Sequence, residues 1–199
     1  MKVKIKKEGK VKEFKLINSW SDVTLETWLK LIDFETGTKT EEAEATLEAL
    51  SDIPRRLVKE LALSDVAAIM SKVGELQANQ DTELKRIIEI NEVEYGFHPD
   101  LDSISLGEYA DIEQFIKNGI DSSLPELMSV LYRPIKLKKN DIYIIDAYDG
   151  DIRLRAEEMK LMSAEQVQSA LVFFYTLGKV LSEIMPLFLM EQLKETKTQ

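Results

Sequence analysis

Toward the C-terminus, apolar residues recur at steps of three and four. Val167, Ala170, Leu171, Phe174, Leu177, Gly178, Leu181, Ile184, Met185 and Phe188 form one stripe, with Glu165, Gln168, Thr176, Lys179 and Glu183 on a narrower polar one. That is the period of an amphipathic helix with a wide apolar face, and it predicts a long core helix over 163–193. Ser163 and Gln166 stand at capping-box spacing, with Met162 and Val167 at the staple positions. A membrane span needs about 20 uninterrupted apolar residues. Lys179, Glu183 and Pro186 break this run, so the helix reads as core or oligomer interface.

The N-terminal residues alternate instead. Val3, Ile5, Val11, Phe14 and Leu16 flank Glu8-Gly9-Lys10, which predicts a β-hairpin over residues 1–17 with one apolar face. Between 18 and 78 the period returns to that of short helices. Thr24 is the expected N-cap of the first, Thr40 of the second, Ser51 or Asp52 opens a third around Pro54, and Leu63-Ser64-Asp65 starts a fourth reaching about Gln77. Ile87–Ile90 and Val93–Phe97 read as two strands around Asn91-Glu92, or as one longer bent strand. Ile104, Ser105, Glu108 and Tyr109 make a staple and capping box for a helix to about Lys117, stopped at Asn118-Gly119. Ser123, Pro125 and Glu126 open another, broken at Arg133-Pro134. Ile142–Ile145 reads as a short buried strand, and Ile152 to about Met159 as a charged helix. The expected fold is mainly α (α+β), one domain over 1–199, with the hairpin, a small central strand element and the long C-terminal helix.

Charge is distributed unevenly. The chain of 199 residues carries a net charge of −10, yet residues 1–15 hold seven lysines against Glu8 and Glu13, leaving −15 for the rest. Glu89 to Glu113 contains eight acids and no lysine or arginine. An acidic body repels phosphate backbones, so direct nucleic-acid binding is disfavoured. The lysines read as an edge strand protected from aggregation. No cysteine is present, which removes disulfides, thiol nucleophiles and cysteine–metal sites.

Candidate chemistry is sparse. Neither Asp100-Leu101-Asp102 nor Asp149-Gly150-Asp151 continues as a calcium loop. The sole histidine, His98, has no second histidine or cysteine at ligand spacing. The glycines form no phosphate cradle. The expectation is therefore no catalytic residue, no metal and no cofactor. Tyr132-Arg133-Pro134, at the exit of an apolar helix, can bind a carboxylate or a ring, or be pinned by a salt bridge to one of the chain's own acids. Together with Phe173, Phe174 and Tyr175 on the long helix, it is the candidate partner-binding surface.

The order of short motifs carries a resemblance. Trp20, Val23, Thr24, Trp28 and Leu31 follow W-x-x-V-T-x-x-x-W-x-x-L. Later come I-S-L-G-E-Y-x-D-I at Ile104–Ile112, L-Y-R-P-I at Leu131–Ile135 and Tyr-Asp-Gly at Tyr148–Gly150, then a Phe-Phe-bearing helix. From about residue 20 to 195 this organisation resembles a loose group of small tailed-bacteriophage virion and assembly proteins, tail-assembly-chaperone-like ones among them. The resemblance implies a non-enzymatic protein of the bacterial host cytoplasm or the virion, working through other phage structural or assembly proteins or a second copy of itself, with no membrane. The alternative is a virion cargo or host-takeover protein whose acidic face engages a basic host target.

Overall fold

The computed structural model describes residues 1–7, 10–33, 38–78 and 83–172. Strands β1 (Lys2–Lys7) and β2 (Lys10–Lys15) form the expected antiparallel hairpin, pairing Val3 with Phe14 and Ile5 with Lys12. Its apolar face lies on a cluster of short helices, α1 (Leu25–Asp33), α2 (Lys39–Leu50), α3 (Arg55–Val58) and α4 (Leu63–Ala78). Ile5, Leu16, Trp20, Val23, Leu47, Leu50, Ile53, Val58, Ile69 and Val73 make the core between them. Each such side chain contributes about 1.5–3 kcal/mol by leaving water.

Local caps explain most element starts. Thr24 Oγ1 accepts the Thr27 N–H at 3.2 Å and opens α1. The second helix starts earlier than expected, because Thr38, not Thr40, makes a reciprocal capping box with Glu41. Pro54 is the N-cap of α3 rather than a first-turn residue.

The central strands are more than a small element. Strands β3 (Ile87–Ile90), β4 (Val93–Phe97), β5 (Tyr132–Lys139) and β6 (Ile142–Ile145) form a four-stranded antiparallel sheet in that order. The expected break at Arg133-Pro134 does end a helix, but the chain passes directly from it into β5. Restriction of the residue before proline to extended backbone suits a strand as well as a stop. Asn91 and Glu92, with φ of 50° and 66°, make the tight β3–β4 turn. Between β4 and β5 the chain makes a helical excursion, α5 (Leu106–Asn118) and α6 (Leu124–Leu131). Then α7 (Arg153–Met159) follows β6, and residues 164–172 are helical, here α8.

One face of the sheet (Ile88, Ile90, Tyr95, Phe97, Tyr132) packs on Leu127, Met128, Leu131, Met159, Met162 and Val167 as a second core. The Phe97 and Tyr132 rings meet edge to face at 5.2 Å. The two cores are stitched together at Thr24–Ser163, where the Leu25 N–H donates to Met162 O and the Ala164 N–H to Val23 O, both at 2.7 Å. The long helix expected over 163–193 is described only for 164–172. It opens with the Ser163–Gln166 capping box, and 173–193 lie outside the described residues. Among the described residues no helix is long and apolar enough to cross a membrane.

Candidate functional site

The helical excursion carries charge into the interior. Ser105 Oγ accepts the Glu108 N–H at 3.3 Å, and the Glu108 carboxylate accepts the Ser105 N–H at 2.7 Å, fixing the first turn of α5. This cap points Glu108 inward, where it is 3% exposed. Opposite it stands Arg133, the second residue of β5 and 4% exposed, with Nη2 at 2.7 Å from Glu108 Oε1. His98, just past β4, brings Nε2 to 3.4 Å from the same oxygen. The Arg133 guanidinium also lies over the Tyr148 ring, 5.7 Å from its centroid. Tyr148 in turn donates its hydroxyl hydrogen to the Asp111 carboxylate, one turn along α5 from Glu108.

Electrostatics follow from that enclosure. Burial raises the Glu108 carboxyl, but the Ser105 bonds and Arg133 outweigh it and leave it below the ordinary carboxylate value. Burial lowers His98, with Arg133 adding to the shift and Glu108 working against it, so the imidazole is held neutral at physiological pH. Burial, then the bond to Asp111, pushes the Tyr148 hydroxyl up. Arg133 Nε and Nη1 are buried without a hydrogen-bond partner. The face of Tyr148 supplies electrostatic contact where further acceptors are lacking.

No family model matches the sequence. No curated protein and no solved structure matches it either. What the chain does is therefore argued from its own geometry.

Three of the short motifs converge here, since Glu108 and Asp111 belong to the first, Arg133 to the second and Tyr148 to the third. Of the candidate partner-binding residues, Tyr132 and Arg133 are buried and Pro134 half-buried. Tyr132 donates its hydroxyl hydrogen to Lys85 O at 2.7 Å. Phe173, Phe174 and Tyr175 lie outside the described residues. Among the described residues no group of acids and histidine is arranged to hold a metal ion. The cluster ties α5, the β4–β5 seam and the loop after β6 into one unit. Its chemistry is that of a charge pair held in a fixed position.

A second feature lies at the far end of the sheet. Leu137 pairs with Ile144 and Lys139 with Ile142, so Leu137, Ile142 and Ile144 share a face. They are 65%, 79% and 57% exposed, so the strand expected to be buried at Ile142–Ile145 is covered on its Tyr143 side alone, because it is the last strand of the sheet among the described residues. Lys138 and Tyr143 occupy the opposite face. There Tyr143 is buried, with its hydroxyl donating to Phe97 O at 2.7 Å.

Proposed function

We propose that this chain is a non-enzymatic bacteriophage protein acting by protein–protein contact, as a minor virion component or an assembly factor of the tail-assembly-chaperone-like kind. The observation that carries the contact is the Leu137–Ile142–Ile144 surface. Three large apolar side chains crowd one face of the β5–β6 hairpin, at a sheet edge that no strand among the described residues pairs. Clustered apolar surface on an edge strand is a liability in a protein that works alone, and a binding surface in one that does not. The order of short motifs supports the phage setting, and in that setting the occupant is another structural or assembly protein of the same particle.

The test is quantitative mass spectrometry of purified particles and infected-cell lysate, comparing the wild type with Ile142→Glu/Ile144→Glu. These side chains are exposed, so the variant keeps its fold. The expected result is a fixed copy number per particle, or a stable client complex in lysate, that the variant loses. A variant retained at wild-type copy number and in every complex would overturn the assignment.

A second reading, a cargo or host-takeover protein, draws on the exposed Glu89, Glu92 and Glu94. Glu89 and Glu94 stand directly opposite each other across β3 and β4. Binding to a basic host target through that edge would weaken steeply with added salt, unlike an apolar contact.

A further inference from the structure

Among the described residues the N-terminal hairpin has an unpaired side. Its hydrogen-bonding phase is set where the Leu16 N–H donates to Met1 O at 2.8 Å. In an antiparallel pair such bonded pairs alternate along the ladder. Val3–Phe14 and Ile5–Lys12 therefore carry the inward bonds, while Lys2 and Lys4 turn their N–H and C=O groups to the outer edge. Among the described residues no strand pairs along that edge.

A groove of about 380 Å³ runs beside it. One wall is four consecutive strand residues, Lys2 to Ile5. The other is Asp65, Ala68, Ile69 and Lys72. On α4 those four fall at i, i+3, i+4 and i+7, a single stripe of the helix. The floor is apolar, with Ile5 and Ile69 buried and Val3 half-buried. The rim is cationic, because Lys2, Lys4 and Lys72 are exposed against the single Asp65. Glu13 spans Lys2 and Lys4 at 3.5 and 3.2 Å, one carboxylate shared between two lysines.

We propose that the outer edge of β1 is a docking site for an extended partner segment of alternating apolar and acidic residues, added to the hairpin as a third strand. Edge backbone groups supply affinity in this kind of recognition, and alternate side chains supply specificity. Side chains pointing toward α4 enter the groove over Val3, Ile5 and Ala68. Those pointing away stand beside Lys2 and Lys4, where carboxylates are matched. The site is on a different sheet from the Leu137–Ile144 surface, so either can fail alone.

The probe is a fluorescein-labelled alternating valine–glutamate peptide of about eight residues, titrated with the full chain by anisotropy. Saturable binding is expected. It should weaken at least about tenfold with alternate residues N-methylated, with oligoglutamate of equal charge, and with the Ala68→Trp variant, which fills the groove from an exposed position. No saturation up to about 1 mM chain would overturn the proposal. So would equal binding of oligoglutamate and the N-methylated peptide, since that marks simple adhesion of a polyanion to lysines. The peptide arms use the wild-type protein and hold whether or not the variant folds.

Discussion

Removing the Glu108 carboxylate should be among the costliest single changes in this chain. Glu108→Ala leaves the Arg133 guanidinium almost wholly buried beside His98 and the Tyr148 face, with its counter-charge gone. Truncating one member of a buried pair costs about 3–5 kcal/mol. The same change takes the acceptor from the Ser105 N–H at the start of α5, adding about 1 kcal/mol. The sum, about 4–6 kcal/mol, approaches the whole stability of an ordinary domain, about 5–15 kcal/mol. Glu108→Gln separates the two effects, since its amide oxygen still accepts from Ser105 while the charge is lost; it should cost about 3 kcal/mol. In an Arg133→Met background, where no buried cation needs a partner, the same Glu108→Gln change should cost under about 1 kcal/mol. Urea unfolding at neutral pH, followed by far-ultraviolet circular dichroism, measures all four corners of this cycle. With a denaturant slope of about 3 kcal/mol/M, the Glu108→Gln midpoint moves by about 1 M. Equal costs of Glu108→Gln in both backgrounds, or a Glu108→Ala cost below about 1 kcal/mol, would refute the reasoning.

Two further predictions concern the same sheet. A Cβ on Gly96 would lie 2.4 Å from Tyr143 Cε2 and 2.9 Å from Ile145 Cγ2, so Gly96→Ala must push the Tyr143 ring off its bonds to Phe97 O and Arg86 O. The expected loss is about 2–4 kcal/mol, falling to about 1 kcal/mol when Tyr143 is also truncated to alanine; an undiminished loss in the double variant would show that the ring is not the obstacle. Acidification should destabilise in two stages. The His98 value lies below its ordinary 6.5, so the unfolded chain takes the proton first and stability falls as pH drops from 6.5 toward the folded value. Glu108 is likewise depressed, so its contribution is present above its ordinary 4.5 and is lost as pH falls through the folded value. His98 is the chain's only histidine, so one imidazole resonance in an NMR titration reads the first stage, and a midpoint above 6.5 would contradict it.

How much of this could be read beforehand depended on range. Hairpin phase, caps and turn residues act over a few positions, and so Thr24, Ser105–Glu108, Asn91-Glu92 and Gly119 announced their elements. Thr38 was missed because two threonines near a helix start compete, and the reciprocal bond with Glu41 decides between them. The strand at Tyr132–Lys139 was hidden because Pro134 signals interruption, while β4, the partner of its first residues, lies about 35 positions away. The Arg133 environment was legible only in part. An arginine in an apolar stretch calls for a carboxylate, but with 36 acids in the chain nothing local selects Glu108. That residue had already been explained as half of a capping box. It does both jobs, using one oxygen for the helix start and the other for the cation.

The helical excursion between neighbouring strands also has a mechanical meaning. Strands β3–β4 and β5–β6 are each joined by a tight turn, whereas β4 meets β5 through only Tyr95–Pro134, Gly96–Arg133 and Phe97–Tyr132. The ends of the excursion are clasped where the His98 N–H donates to Leu131 O at 2.7 Å, and Glu108 reaches back from α5 to Arg133 within the seam itself. Pulled apart, the sheet would open there before either hairpin unzipped. The buried charge pair is the rivet across its thinnest joint.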